Sequence, residues 1–181
     1  REEPEIENEP EFRLIRGGAS YLMGRLSDAA SDFTHGSLDG SDEANFWRAA
    51  VVAESGDLLA AAPTLTRVGI VTKKYPKSLK LRMGTLVADA AVEIGDSQTA
   101  KTYIKALKKL EPNEAQLAAI EFVEGRLLDL NGDTDGAISL WEGVQEKRNK
   151  WMRVRASIAR IELLLKLNRL KPREAIKQME S

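Results

Sequence analysis

Apolar and polar residues follow one another along this chain with the spacing of amphipathic helices, and a pattern of four landmark residues recurs in one register. In each copy a small residue is followed seven positions later by Gly, then after five by Ala and after four by a large apolar residue. The copies are Gly17, Gly24, Ala29 and Phe33; Ala49, Gly56, Ala61 and Leu65; Ala88, Gly95, Ala100 and Ile104; and Gly125, Gly132, Ala137 and Trp141. The central glycines are 32, 39 and 37 residues apart, and periods of this length indicate a repeat architecture.

Each copy predicts two antiparallel helices joined by a tight turn. The central Gly ends the first helix, where a positive φ is often needed. Asp57, Asp96 and Asp133 follow their glycines as candidate N-caps of the second helix. The small residue before the Gly allows the two helices to approach, and the Ala and the large residue after it place one face of the second helix against the first.

The pattern predicts ten helices, and short polar segments separate the pairs, three of the four containing Pro or Gly. The helices are expected at residues 10–23, 26–37, 43–55, 58–74, 78–94, 97–110, 114–131, 134–146, 150–167 and 172–181. They form one repeat domain over residues 10–181, with units at about 10–40, 42–76, 78–112, 114–148 and 150–181. The last unit is irregular, because Asn168 replaces the Gly and Ala175 comes two residues late. Residues 1–9 are acidic, lack a core-forming pattern and are expected to be disordered.

These landmarks resemble the tetratricopeptide repeat (TPR) family, whose unit is a helical hairpin of about 34 residues. The resemblance covers residues 10–146, and the stretch from Leu81 to Pro112 matches best. It implies an all-α fold, a right-handed α-solenoid of about five antiparallel helix hairpins. The chain departs from the family at the large residue early in the first helix and at the tyrosine in its middle, with Val52, Ala91 and Leu128 instead. No particular ligand class therefore follows from the resemblance.

In the family, the first helix of each pair lines a concave surface that receives peptides or partner proteins. The resemblance therefore implies a non-enzymatic scaffold that binds a peptide or protein in this groove. The residues implied to face the partner are Tyr21, Phe46, Glu54, Arg82, Asp89, Phe122, Arg126 and Arg155. The alternative is a structural spacer segment of a larger multi-repeat protein, with no specific ligand of its own.

The compartment and the extent of the natural protein are open at this point. The chain begins at Arg1 and stops at Ser181 inside a predicted helix, so we expect a piece of a longer protein. The array resembles segments of large multi-repeat proteins of alphaproteobacteria, some of which look exported to the cell envelope. That resemblance favours the periplasm over the cytoplasm.

Charge is balanced overall but unevenly distributed. The formal net charge is −1, which gives no global attraction for nucleic acid. Residues 1–63 hold thirteen acidic and five basic side chains, whereas residues 147–177 hold eleven basic and two acidic ones. This asymmetry predicts weak head-to-tail self-association. The basic segment forms an amphipathic helix with a patch of Arg153, Arg155 and Arg160, interpreted either as a solvated face or as a site for an acidic partner.

No motif supports catalysis, a cofactor or a metal site. The chain has no Cys and a single His, His35. Asn131, Asp133, Asp135 and Glu142 have nearly the spacing of a calcium loop, but the repeat already requires the Gly and Ala between them, so a repeat turn is the preferred interpretation. The acid pairs, Asp28 with Asp32 and Asp129 with Asp133, are interpreted as surface groups. No apolar run reaches the roughly 18 residues of a membrane span, and the three tryptophans are expected in the core.

Overall fold

The computed structural model describes residues 9–147 and 149–179. Ten α-helices and no β-strand lie in this part of the chain. The helices are α1 Pro10–Leu22, α2 Leu26–Phe33, α3 Asp42–Glu54, α4 Leu58–Val68, α5 Lys77–Glu93, α6 Ser97–Lys108, α7 Glu114–Leu130, α8 Thr134–Gln145, α9 Lys150–Lys166 and α10 Pro172–Met179. Short 3₁₀ helices, Gly36–Leu38 and Gly69–Lys74, follow α2 and α4.

All ten predicted helices are present, and the two largest differences are at the ends of α2 and α4. The second helix stops at Phe33, where the Thr34 hydroxyl donates to the carbonyl of Ala30 at 2.9 Å and Gly36 follows. The fourth helix tightens to 3₁₀ geometry at Gly69, and the Thr72 hydroxyl donates to the Gly69 carbonyl. The predicted disorder of residues 1–9 lies outside the described residues, apart from Glu9, which is the N-cap of α1. The predicted helical residues 180 and 181 also lie outside them.

The chain divides into two compact units, Arg1–Tyr75 and Pro76–Ser181. In the first unit, α1 packs on α2, α2 on α3 and α3 on α4. In the second unit, α5 packs on α6 and α7, α6 on α7, α7 on α8, α8 on α9, and α9 on α10. The fold is therefore all-α, with helices packed in neighbouring pairs. The sequence predicted one domain over residues 10–181, because only a short polar segment lies at the point of division.

The turn inside each pair depends on one residue with a positive φ. The four landmark glycines have φ between 75° and 104°, which L-residues with side chains rarely adopt. Asn168 takes the equivalent place after α9 with φ 55°, because a short polar side chain tolerates this conformation better than most. After three of the glycines the predicted caps are confirmed: Asp57, Asp96 and Asp133 each accept a hydrogen bond from a backbone amide three residues later, at 3.0 Å.

Close approach of paired helices is confirmed at two of the small landmark residues. A Cβ atom added to Gly17 would lie 2.6 Å from the ring of Phe33. A Cβ atom on Gly125 would likewise overlap the indole of Trp141, whose Nε1 donates to the carbonyl of Phe122 at 3.1 Å. The large residue of the second helix therefore fills the space that the glycine of the first helix leaves.

The core of the first unit includes an aromatic cluster around Trp47. The ring of Phe33 stacks on Trp47 at 5.5 Å, and Tyr21 meets it edge-on at 5.3 Å between ring centroids. Phe46 and Tyr75 contact the same indole at 6.0 and 5.8 Å. Aromatic pairs at these separations stabilise a core beyond the area that they bury. Burial, together with the nearby Glu43 carboxylate, raises the pKa of Tyr75, so its phenol stays neutral.

A buried carboxylate joins α1 to α2. Asp32 is almost fully buried and accepts hydrogen bonds from Arg13 Nη1 at 3.0 Å and from Arg16 Nε at 2.9 Å. The hydrogen bond from Arg16 is the largest influence on the pKa of Asp32, which is lowered although burial opposes that shift. The ionised form of Asp32 is therefore a structural element of the first unit.

The core of the second unit includes residues of α5, α6, α7, α8 and α9, with Trp141 and Ile120 among the buried side chains. The last helix, α10, contributes only Ala175 as a buried residue. Trp47 and Trp141 are core residues as predicted, but the prediction for Trp151 is wrong, because its side chain is 68% exposed. None of the described helices combines the length and the apolar composition needed to cross a membrane.

Replacing Gly132 with Val tests the left-handed turn. The glycine has φ 85° and open space where a Cβ atom would be added, so backbone strain alone should destabilise the variant, by roughly 1–3 kcal/mol. Gly143→Ala is the matched control, because Gly143 lies inside α8 with similarly open space, and Ala should be neutral or stabilise it by up to about 1 kcal/mol. Urea unfolding of both variants is the measurement. An unchanged free energy of unfolding for Gly132→Val would contradict the turn.

Replacing Asp32 with Asn tests the carboxylate between α1 and α2. Because folding lowers its pKa, Asp32 stabilises the fold fully above its unfolded pKa of about 3.9, and this contribution is lost as the pH falls through the lower folded value. The penalty of Asp32→Asn should therefore be roughly 1–3 kcal/mol at neutral pH and should shrink as the pH falls below the unfolded pKa. Urea unfolding at several pH values measures it. Asp28→Asn, at a more exposed carboxylate, is the control, and an equal penalty at all pH values would refute the ionic contribution.

Candidate partner-binding cavity

A cavity of about 560 Å³ lies among α5, α7, α8 and α9 in the second unit. Its wall combines apolar and charged side chains. The lining residues are Val92, Glu93, Phe122, Arg126, Asp129, Leu130, Trp141, Arg155, Ile158, Ala159, Glu162, Leu163 and Lys166. Helical spacing explains the set: on each of α5, α7 and α9 the lining residues recur at intervals of one, three or four positions and so share a face.

A network of charged side chains holds the wall of the cavity together. Asp89 is buried on α5 and accepts hydrogen bonds from Arg126 Nη1 on α7 and, at 3.4 Å, from Arg155 Nη2 on α9. Arg126 also donates to Glu93, one turn after Asp89 on α5. Burial lowers the pKa of Arg126, but the carboxylates of Asp89 and Glu93 outweigh it and raise the pKa overall. Arg126 is therefore a fixed cation that joins α5 to α7.

Arg155 connects this network to the aromatic part of the wall. Its guanidinium carbon lies 4.3 Å from the ring centroid of Phe122, which is the geometry of a cation–π contact. The Arg155 side chain is partly exposed and lines the cavity. Asp89 and Phe122 thus fix the orientation of its planar group.

The lining carries equal numbers of charges of each sign. Arg126, Arg155 and Lys166 are basic, and Glu93, Asp129 and Glu162 are acidic. The site is therefore neither a strong anion site nor a strong cation site. Seven apolar residues line the cavity beside these six charged ones, so it offers both apolar surface and hydrogen-bonding groups.

The structure brings four of the eight predicted partner residues together. Asp89, Phe122, Arg126 and Arg155 form the network and the wall just described. Arg82, on the same helix as Asp89, is exposed and is not among the cavity residues.

The other three predicted residues lie in the first unit. Tyr21 and Phe46 are 2% and 0% exposed and pack against Trp47, so both belong to the core and neither offers surface to a partner. Their position in the repeat predicted a surface role, but large apolar residues on helices are usually buried in the core, and both residues follow that tendency. Glu54 is exposed and accepts a hydrogen bond from the Tyr21 hydroxyl at 3.4 Å.

The three arginines predicted as a basic patch lie in different surroundings. Arg153 is exposed, whereas Arg155 faces the cavity and binds Asp89. Arg160 donates to Glu142 at 3.3 Å and to Gln178 at 2.9 Å. Only the first of the three is thus available as an open cationic group.

Several residues of the cavity were not predicted from the sequence. They are Glu93, Asp129, Leu130, Ile158, Glu162 and Lys166, among others. A usable signal was present, since Glu93 comes four residues after Asp89, and Ile158 and Glu162 come three and seven residues after Arg155. Extending each predicted residue along its own helical face would have found them.

The acidic segment that resembles a calcium loop has other contacts. Asp133 caps α8, and Asn131 accepts a hydrogen bond from the Ser97 hydroxyl at 2.9 Å. Asp135 pairs with Arg169 and Glu142 with Arg160. His35 accepts a hydrogen bond from the amide of Ser37 at the start of a 3₁₀ helix. Among the described residues, no three His, Asp or Glu side chains converge as a metal-binding group.

Comparison of the sequence with models of known protein families finds no match, and no curated protein matches it either.

Replacing Asp89 with Ala tests the network behind the cavity. Without this carboxylate, Arg126 and Arg155 lose their shared acceptor, so the free energy of unfolding should fall by roughly 1–3 kcal/mol. Asp129→Asn is the control, because Asp129 lines the same cavity and should change stability by less than about 0.5 kcal/mol. Chemical denaturation followed by circular dichroism is the measurement. Equal, small effects of both variants would show that the network does not stabilise the unit.

Proposed function

We propose that this chain is a TPR-like helical-repeat scaffold without enzymatic activity, which binds an extended peptide or protein segment at the cavity of its second unit. In this proposal the helix pairs follow the right-handed coil of an α-solenoid. The first helices of successive pairs then face the partner.

The observation that supports this function best is the origin of the cavity residues. Apart from Trp141, they come from α5, α7 and α9, which are the first helices of three successive pairs. These are the helices that line the partner-binding surface in the family that the sequence resembles. Four residues that were predicted from the sequence belong to this cavity or to the charged network behind it, although up to 66 positions separate them in the chain. They are Asp89, Phe122, Arg126 and Arg155.

The network of Asp89, Arg126 and Arg155 supports binding because it prepares the wall in advance. Both guanidinium groups already have carboxylate partners, so a ligand need not order two long side chains. Preorganisation of this kind reduces the entropic penalty of association.

The composition of the wall suggests how a peptide would be held. An apolar side chain of the peptide would enter between Val92, Leu130 and Ile158, which supply the apolar surface. Peptide N–H groups would donate to Glu93 or Glu162, and peptide carbonyls would accept from Arg155 or Lys166. Such a ligand needs both donors and acceptors, which an extended backbone presents at regular intervals.

The alternative is a structural spacer within a larger repeat protein, with no ligand at the cavity. Ile15 and Trp151 favour it, because they are 72% and 68% exposed and large apolar side chains are often covered by a neighbouring surface. In that function the charged network would serve only to hold α5, α7 and α9 together.

Peptide binding can be tested by selecting a displayed library of random short peptides against the chain and measuring the synthesised, labelled peptides by fluorescence anisotropy. We expect micromolar dissociation constants and sequences with one shared apolar position. Leu130→Glu places a charge on the apolar wall and should weaken binding at least about tenfold. Ile94→Glu is the matched control: Ile94 and Leu130 are 42% and 44% exposed, but Ile94 does not line the cavity.

Two results would contradict the proposal in favour of the spacer. One is a selection that enriches no peptide above background. The other is a set of peptides whose affinities fall equally with Leu130→Glu and Ile94→Glu, because such peptides would not occupy the cavity.

A further inference from the structure

An apolar stripe runs along the exposed side of α1. It consists of Phe12, Ile15, Ala19 and Leu22, all of them exposed and spaced by three, four and three residues. This spacing places them in one line along the helix, and we call them the α1 stripe. The exposed acids Glu9 and Glu11 lie at its N-terminal end.

A second apolar stripe lies on α9, in the other unit. Trp151, Val154 and Ile158 are exposed and spaced by three and four residues, and we call them the α9 stripe. A groove of about 410 Å³ adjoins it, to which Val154 and Ile158 contribute together with Met179 of α10. The basic residues Lys150 and Arg153 line the same groove.

We propose that the α1 stripe of one copy of this chain docks on the α9 stripe of a second copy. Three residues of each stripe have the same spacing, so two helices crossing at a shallow angle can interleave them. The large exposed side chains Ile15 and Trp151 are then removed from water, which is the main favourable contribution.

Charge selects the two different stripes as partners. Residues 1–12 contain six acidic side chains and one basic one, whereas residues 149–179 contain nine basic and two acidic ones. A contact between two α9 stripes would bring the basic residues Lys150 and Arg153 of both copies together. A contact between two α1 stripes would likewise bring together the acidic residues Glu9 and Glu11 of both copies. Both contacts are disfavoured by repulsion between like charges. Only the unlike pair brings opposite charges together.

The proposed contact determines which oligomers form and how tightly the copies associate. Because each copy carries both stripes and the two differ, the contact is heterologous, and copies add head to tail unless the geometry closes a ring. Three or four side chains on each helix cover less than the roughly 800 Å² per partner of a stable interface. Association is therefore weak and sensitive to salt.

Sedimentation velocity of four samples tests this contact at about 20 mM and about 500 mM salt, between which the screening length falls severalfold. The four samples are the unaltered chain, Ile15→Ser, Trp151→Ser and an equimolar mixture of the two variants. The controls Leu59→Ser and Ile70→Ser change side chains that are 62% and 56% exposed and belong to neither stripe.

We expect the unaltered chain and both controls to form concentration-dependent oligomers that weaken as salt rises. Each stripe variant alone should associate on the order of ten- to hundredfold more weakly. The mixture should recover association but stop at dimers, because each variant retains one intact stripe and the two intact stripes are complementary.

Three results would overturn the proposal. A monomer at both salt concentrations excludes the contact. Loss of association in Trp151→Ser but not in Ile15→Ser shows an interface between like stripes, and a mixture that stays monomeric shows that the stripes are not partners. Circular dichroism of each variant checks that the exposed substitutions leave the helices intact.

Discussion

A single backbone constraint underlies the helix pairs of this protein: one residue between the two helices must take a positive φ. When it does, the chain reverses within a few residues, and an aspartate just after it can cap the second helix. The reversal then brings a small residue of the first helix opposite a large residue of the second. In the pairs α1–α2 and α7–α8 this small residue is a glycine, Gly17 or Gly125, and an aromatic ring of the second helix packs directly against its backbone. The turn therefore determines which side chains can form the core.

The helices could be predicted from the sequence because this constraint leaves a local signature. Glycine and aspartate recur at fixed distances from the apolar residues, and even Asn168 could be recognised as a substitute for glycine. The early ends of α2 and α4 were not predicted, since 3₁₀ geometry preserves nearly the same apolar spacing. The division at Pro76 was not predicted either, because it depends on how many contacts cross a short segment and not on the residues within it.

The cavity could be predicted only in part, because its residues belong to four helices spread over the second unit. Asp89, Arg126 and Arg155 were identified by their places in the repeat, but nothing local shows that they contact one another. Tyr21 and Phe46 had comparable places and proved to be core residues, because Trp47 lies between them in the first unit. The position in the repeat does not give the size of the neighbours that pack against a residue, and those neighbours determine how deeply it is buried.

The three tryptophans give the molecule a set of internal optical reporters. Trp47 lies in the aromatic cluster of the first unit, Trp141 lies in the core of the second, and Trp151 is on the surface of α9. Indole emission shifts to the red in water, so the buried pair and the exposed residue differ in wavelength and in access to a soluble quencher such as iodide. Chains that keep one tryptophan at a time would therefore let the melting of either unit be followed separately by its own fluorescence, without an added dye.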